Sequence, residues 1–239
     1  MISKKIIKYC NSTSRVIAVS KKLSTELQTE LEVPVSFVSN PVVFEQAPSS
    51  PRLPERPSSF VILFAGRLEQ EKNVEFLVKA FAKFLETQQD ASLWIAGKGS
   101  LKAPLESLCA RLGISPKVHF LGFVQHEQLA SYYAACDLFV LPSFMETQGM
   151  VAMEAMWFSK PIIVTSSIVS AEELVDDGQN GYIIDPKSVD DLASKFAILQ
   201  SDPELRQTMG QKGRERVETL TPEYVGRELD TIYTQVGGF

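Results

Sequence analysis

Two cations stand close together in the sequence, directly after an apolar run. The run FVILFAG occupies residues 60–66 and ends in glycine, and Arg67 and Lys72 follow it, five residues apart. An arginine fork and a lysine ammonium are groups that proteins use to hold a diphosphate, the first as a planar donor and the second as a point charge. An ordinary pair of exposed loop cations is the alternative interpretation of this motif.

Two carboxylates form a second motif. Glu146 and Glu154 are eight residues apart in ETQGMVAME, the first on a predicted loop and the second inside a helix predicted near 149–158. Carboxylates accept hydrogen bonds from hydroxyls, so the pair can bind a ribose with one member and a sugar with the other. An acid–base pair for glycoside hydrolysis is a rival interpretation, and two solvated acids at a helix end are a third.

Gly149 stands at the start of that helix. A bare glycine backbone lets the first amides of a helix approach an anion, and the helix dipole favours one there; a simple turn glycine is the alternative. The two histidines, His119 and His126, lie in and after the third predicted strand. No triad partner stands at motif spacing from either, so both are predicted to be structural.

The elements that position these motifs alternate along the chain from residue 60 onward. Apolar runs are followed by stripes of apolar residues at helical spacing, which predicts right-handed βαβ units and an α/β fold with a doubly wound parallel sheet. Ligands bind such sheets at the carboxyl ends of the strands, where the motif residues stand. The predicted strands cover residues 60–66, 92–97, 118–122, 137–143, 161–165 and 181–185.

The chain divides into four parts. Residues 1–45 form a short N-terminal piece, 46–59 a linker rich in Pro and Ser, 60–220 the main domain, and 221–239 a C-terminal helix predicted to pack toward the N-terminal part. The N-terminal piece predicts a strand, a helix and a strand, over residues 15–20, 21–31 and 35–41. The last helix carries an apolar face made of Val225, Leu229, Ile232, Tyr233 and Val236.

Composition and charge exclude several classes of protein. With 24 Lys and Arg against 29 Asp and Glu, the net charge of -5 argues against a nucleic-acid binder, and no apolar run approaches membrane-spanning length. Three widely spaced cysteines predict neither a disulfide framework nor a zinc site, which favours a reducing cytoplasm. Residues 1–22 hold six basic side chains and no acid. They predict a solvated helix face, with contact to the inner, anionic membrane face as the alternative.

Together these motifs resemble a known family. GRLEQEKN (66–73) with ETQGMVAMEAM (146–156) resembles the donor-binding half of the retaining glycosyltransferases of family 4, which have the GT-B fold. The resemblance covers about residues 15–236, and RVIAVSKKLSTEL with the SNP that follows resembles the end of the family's acceptor domain. Supporting matches are Gly97-x-Gly99, Phe120-Leu121-Gly122, Leu141-Pro142-Ser143 and Asp177-Gly178-x-Asn180-Gly181.

The resemblance implies a role for each matching residue. Arg67 and Lys72 would hold the diphosphate and neutralise the leaving group, Glu154 would bind the ribose, and Glu146 would contact the donor sugar. Arg67, Lys72 and Glu146 would thus be the catalytic residues. The implied reaction is retaining transfer of a hexosyl group from a UDP- or GDP-sugar to a glycan or lipid-linked acceptor, without a bound metal. The implied donor-binding residues are Gly66, Arg67, Lys72, Gly97, Phe123, Val124, Glu146, Gln148, Gly149, Met150, Val151 and Glu154.

Departures from the family pattern keep other functions open. Gln148 stands where the motif has Phe, Ser159 where it has Gly, and residues 166–170 where it has a Gly-Gly loop. Because the resemblance begins inside the acceptor domain, we expect a separate acceptor-domain protein as a partner and little transfer by this chain alone. A non-catalytic nucleotide-sugar-binding module, or a subunit of a split enzyme, is the alternative. The spacing of the two glutamates argues against a related sugar epimerase.

Overall fold

The computed structural model describes residues 4–43 and 55–237 of the chain. Within these ranges the strands are β1 (Val16–Ala18), β2 (Val35–Phe37), β3 (Phe60–Ala65), β4 (Ala91–Ala96), β5 (Val118–Gly122), β6 (Leu138–Leu141), β7 (Ile162–Thr165) and β8 (Gly181–Ile184). The α-helices are α1 (Lys4–Cys10), α2 (Lys21–Glu30), α3 (Val74–Leu85), α4 (Lys102–Arg111), α5 (His126–Ala135), α6 (Met150–Trp157), α7 (Ala171–Leu174), α8 (Val189–Ser201), α9 (Pro203–Val217) and α10 (Pro222–Gln235). Short 3-10 turns cover Gln70–Lys72 and Ser115–Lys117.

A parallel six-stranded sheet forms the centre of the main domain. Its strands lie in the order β5-β4-β3-β6-β7-β8, the order found where two βαβαβ halves meet. β3 and β4 pair along their whole length, from Phe60 beside Ala91 to Ala65 beside Ala96. The direction of strand addition reverses between β3 and β6, so a crevice opens there at the carboxyl ends. The predicted doubly wound α/β fold is confirmed.

Helices cover both faces of this sheet. In β3, Phe60, Ile62 and Phe64 pack with α3, α4 and α8, whereas Val61 and Leu63 pack with α5 and α6. Successive side chains of a strand point to opposite faces, so a strand covered on both sides must be apolar at every position. All six residues of β3 are accordingly buried.

A smaller unit precedes the main domain and is docked on it. β1 and β2 pair in parallel with α2 between them in the chain. The carboxylate of Glu173, in α7, accepts hydrogen bonds from the backbone amides of Lys21 and Lys22, each at 2.9 Å. Together with the N-cap Ser20, which accepts from the amide of Leu23, it satisfies amides that the first turn of a helix leaves without a partner.

The two strands of this unit are shorter than predicted. β1 ends at Ala18 because Ser20 leaves the strand to cap α2. β2 ends at Phe37 because the chain then turns toward the main domain, where Ser39 and Asn40 bond to Gln148. The apolar pattern of the sequence continues through both points, so it overestimates the length of the strands.

Residues 46–54 of the predicted linker (46–59) lie outside the described residues, and residues 55–59 are described. In its last part, Arg56 forms an ion pair with Asp137 at 2.6 Å and donates to the carbonyl of Ser59. This contact holds the chain immediately before β3.

The C-terminal helix begins and ends close to the predicted points, but its apolar face is mostly open. Thr221 caps the first turn by accepting from the amide of Tyr224 at 3.2 Å. Val225 is buried, whereas Tyr233 is exposed and Val236 follows the end of the helix. Helical periodicity therefore predicted the helix, but it did not predict how much of the apolar face packs against the rest of the chain. No helix in the described part of the chain is long and apolar enough to cross a membrane.

Candidate functional site

A cleft of about 390 Å³ opens at the carboxyl ends of β3 and β4. An ideal Cβ on Gly97 would overlap the carbonyl oxygen of Gly66, so the loops that follow the two strands can approach only because residue 97 is glycine. The residues that line the cleft are Ala65, Gly66, Arg67, Ala96, Gly97, Lys98, Phe123, Val124, Leu129 and Val151. Six of them are residues that the sequence predicted for a donor site: Gly66, Arg67, Gly97, Phe123, Val124 and Val151.

Arg67 is an exposed cation of the cleft. Its side chain is 72 % exposed and forms an ion pair with Glu71, four residues further along the chain, at 2.5 Å. Exposed pairs of this kind contribute little to stability because water screens them and both side chains lose freedom. The guanidinium can therefore leave Glu71 for an anionic ligand at small cost.

Lys72 and Glu146 form a second ion pair, which is much less exposed. The 3-10 turn Gln70–Lys72 carries the ammonium, and the loop between β6 and α6 carries the carboxylate. The side chains are only 15 % and 23 % exposed. The sequence predicted separate ligands for these two residues, and the structure joins them directly. The carboxylate uses one donor of the ammonium and fixes its position, which leaves further donors for an anion.

The loop that carries Glu146 leads into α6 through Gly149. This residue has φ 72° and ψ 51°, the left-handed region, and its ideal Cβ would lie 2.9 Å from Leu141. Glycine is the residue that tolerates both conditions. The first turn of α6, with Met150 and Val151, is thereby aimed at the cleft, and Val151 lines it.

Glu154 lies one turn further along α6, on the same side as Val151. Its Oε2 accepts a hydrogen bond from the hydroxyl of Tyr133 at 2.8 Å, and its Oε1 lies 3.4 Å from Nε2 of His126. Burial raises the pKa of Glu154, while the hydrogen bond from Tyr133 and the nearby His126 oppose that effect. A mostly buried carboxylate at this depth can accept hydrogen bonds from a ligand's hydroxyls.

The structure separates the two histidines that the sequence treated alike. His126 lies beside Glu154, with 3.4 Å between its Nε2 and Oε1 of the carboxylate, and its structural role stays a prediction. His119 lies in β5, its Nε2 is buried without a hydrogen-bond partner in the described part of the chain, and burial lowers its pKa. A neutral, structural His119 agrees with the prediction.

Gln148 makes contacts that its predicted role in donor binding did not include. Its side-chain oxygen accepts hydrogen bonds from the backbone amide of Asn40 at 3.2 Å and from the side-chain amide of the same residue at 2.7 Å. Its nitrogen donates to the hydroxyl of Ser39 at 2.6 Å. The Gln148 side chain thus ties the start of α6 to the N-terminal unit, and it does not line the cleft.

Two residues of the site were missed as candidates. Lys98 lines the cleft, and its ammonium lies 5.6 Å from the centre of the exposed Phe123 ring. Its position between Gly97 and Gly99 at the end of a predicted strand was the available signal. No sequence signal pointed to Tyr133, because its contact with Glu154 joins two different helices and depends on how they pack. No cluster of His, Cys, Asp and Glu within 4–43 and 55–237 is placed to hold a metal ion.

The fold and the cleft place the chain in the class of doubly wound α/β proteins that have a cleft at the carboxyl ends of the strands. Residues 46–216 match the glycosyl transferases group 1, and the chain belongs to that family. It is 36 % identical to an uncharacterized glycosyltransferase of Methanocaldococcus jannaschii over 72 % of this chain and 44 % of the relative. It is 31 % identical to alpha-D-kanosaminyltransferase of Streptomyces kanamyceticus over 77 % of this chain and 47 % of the relative.

A solved structure agrees in fold. Anabaena HepE in complex with UDP and glucose aligns with a TM-score of 0.84 at 21 % identity, over 97 % of this chain and 66 % of that chain. The chain spans about half the length of the curated relatives it matches. The narrower assignment to family 4 stays a prediction.

Proposed function

We propose that this chain supplies the donor site of a glycosyltransferase. A nucleoside diphosphate sugar would bind in the cleft, with the diphosphate against Arg67 and Lys72 and the ribose against Glu154. The reaction would be transfer of a hexosyl group from a UDP- or GDP-sugar to a glycan or lipid-linked acceptor, with retention of the anomeric configuration. A separate acceptor-domain partner belongs to the same proposal.

One observation supports this proposal: Arg67 and the start of α6 lie at one cleft, and a buried carboxylate stands one helical turn behind that start. Arg67 lines the cleft beside β3, and the first turn of α6 points to it. Glu154 follows one turn behind Val151 on α6, as Tyr133 follows Leu129 on α5. A diphosphate at the mouth of the cleft and a ribose deeper between the two helices fit this order of charges.

The chemistry assigned to the cleft is electrostatic. As the bond between the sugar and the diphosphate breaks, negative charge grows on the departing diphosphate. Preorganised donors at that position lower the barrier because they need no reorganisation as the charge develops. Lys72 is held in place by Glu146, and Arg67 has a flexible, exposed side chain. Lys72 is thus the fixed donor and Arg67 the one that closes on the ligand.

Glu146 would act on the sugar rather than on the nucleotide. One of its oxygens is engaged by Lys72, and a carboxylate has further lone pairs for the sugar hydroxyls. The ion pair between Lys72 and Glu146 would also couple sugar recognition to the position of the diphosphate. The sugar at Glu146 and the diphosphate at Lys72 are parts of one donor molecule. Phe123 and Lys98 would flank the base at the outer end of the cleft.

The two carboxylates provide the test of this arrangement. We expect Glu154→Gln to weaken UDP or GDP and their sugar conjugates equally, by about tenfold, because it changes the ribose contact. Glu146→Gln should weaken the conjugate more than the bare nucleoside diphosphate, because the conjugate loses the sugar contact in addition to the weaker anchoring of Lys72. Calorimetry with UDP, GDP and a panel of their hexose conjugates measures both.

Glu106→Gln, on the exposed side of α4, is the matched control and should change neither affinity. Equal losses for both ligand types at both sites would refute the division of roles.

A further inference from the structure

Tyr133 is a fully buried tyrosine whose hydroxyl points at the Glu154 carboxylate. The bond from its hydroxyl to Oε2 of Glu154 measures 2.8 Å and joins α5 to α6. The ring itself is 0 % exposed. It lies between Phe139, with ring centroids 5.6 Å apart, and Phe158, stacked at 5.8 Å. The aromatic contacts fix the ring, so the hydroxyl is held in place before any ligand arrives.

A carboxylate that recognises a vicinal diol must present its lone pairs in a definite direction. The Glu154 side chain ends in a torsion that is broad and poorly defined by itself. The hydrogen bond from Tyr133 removes that freedom by anchoring Oε2, and His126 approaches the other oxygen at 3.4 Å. The anchored carboxylate keeps further lone pairs for a ligand, and Val151, one turn before Glu154 on α6, lines the cleft.

We propose that Tyr133 is a positioning residue that orients Glu154 for the two ribose hydroxyls of the nucleotide and so sets the preference of the site for ribonucleotides. This inference rests on the proposed donor site. Tyr133 itself touches no ligand in this arrangement, because its ring is enclosed and its hydroxyl is already bonded to Glu154. Its effect on binding must therefore pass through the carboxylate.

A purely structural Tyr133 would behave differently. Tyr133→Phe keeps the ring and its packing and removes a single hydroxyl. If the hydroxyl only stabilised the fold, the variant would lose stability and would bind every ligand with the same relative affinity as the wild type. If it positions Glu154, the loss must appear only with ligands that carry the ribose hydroxyls.

The experiment compares UDP and GDP with their 2′,3′-dideoxy counterparts by calorimetry on the full chain. For the wild type we expect the ribonucleotide to bind about tenfold more tightly than its dideoxy analogue. Tyr133→Phe should reduce this preference by about three- to tenfold, with the affinity for the dideoxy analogue unchanged. Tyr132→Phe is the matched control: the neighbouring ring packs edge-on against Trp94 at 5.3 Å, and its preference should equal that of the wild type.

A second measurement places the effect on Glu154. In a Glu154→Gln background, adding Tyr133→Phe should cause no further loss of preference. A Tyr133→Phe variant with the full wild-type preference overturns the positioning role while leaving the proposed donor site intact. A wild type that binds UDP and GDP no better than their dideoxy analogues overturns the ribose contact of Glu154, and the role of Tyr133 with it.

Discussion

Glu154 and Lys72 show how individual residues of the site differ from ordinary surface charges. Both side chains are mostly buried, and each is held by a partner from another element, Tyr133 for the carboxylate and Glu146 for the ammonium. Arg67 is the contrast, since it is exposed and paired only with nearby Glu71. The site therefore combines two anchored groups with an exposed cation, Arg67.

The buried carboxylate makes a prediction about stability and pH. Burial raises the pKa of Glu154 in the folded chain above the value it has when unfolded. As the pH rises from the ordinary glutamate range through this raised pKa, the unfolded chain ionises first, so the free energy of unfolding falls. Glu154→Gln lacks this loss. We expect the stability of the variant relative to the wild type to increase as the pH rises from about 4 toward 7.

Urea unfolding of both proteins across this pH range measures the difference. A constant difference, or one that moves against the variant as the pH rises, would show that Glu154 ionises in the folded chain as readily as in the unfolded chain.

The elements carry the site by ending at the right places. β3 and β4 end one residue before Gly66 and Gly97, where the missing Cβ of Gly97 lets the two loops touch, and the loop after β6 turns into α6 at Gly149. Each of these points is a glycine that follows or precedes a regular element. The geometry of the cleft thus depends on backbone conformation as much as on charged side chains.

Gly149→Ala tests this dependence. The left-handed backbone and the contact with Leu141 should destabilise the chain by about 1–3 kcal/mol. The affinity for UDP or GDP should fall as well, because the start of α6 moves. Thermal unfolding and calorimetry measure the two effects.

Two other glycines serve as controls. Gly113 also has a positive φ, +70°, and its surroundings are open. Gly113→Ala therefore measures the cost of the backbone conformation without a steric contact. Gly226→Ala, inside α10 with nothing within 4 Å, should stabilise by about 0.5–1 kcal/mol because alanine favours a helix. A Gly149→Ala variant as stable as the wild type would contradict the account of this turn.

At the scale of the whole molecule, the described part of the chain consists of the main domain with a small unit docked on it. The contacts between them are polar and specific, from Glu173 to the start of α2 and from Gln148 to Ser39 and Asn40. The residues that line the cleft come from 65–151 and none from the N-terminal unit. We therefore expect this chain to bind a donor by itself, and we expect transfer to depend on the acceptor side.

The sequence predicted the sheet and the place of Arg67 at the cleft because both depend on local pattern. The continuous apolar run of β3 and the position of Arg67 directly after it are visible within a few residues. Gln148 bonds to residues that lie 108 and 109 positions before it, Asn40 and Ser39. Tyr133 and Glu154 are 21 residues apart and lie on different helices. Such contacts follow from how α5, α6 and the N-terminal unit pack, and no spacing rule reveals them.

The most direct test of the central claim is calorimetric titration of UDP and GDP into the wild type, Arg67→Ala and Arg111→Ala. Arg111 is the matched control, an exposed arginine at the last residue of α4, which runs away from the carboxyl ends of the sheet. The wild type and Arg111→Ala should bind one nucleoside diphosphate with equal affinity. Arg67→Ala should bind it more weakly by about 1.5–3 kcal/mol, the range for a hydrogen bond to a charged group. Undetectable binding by the wild type, or equal affinity in Arg67→Ala, would contradict a diphosphate site in this cleft.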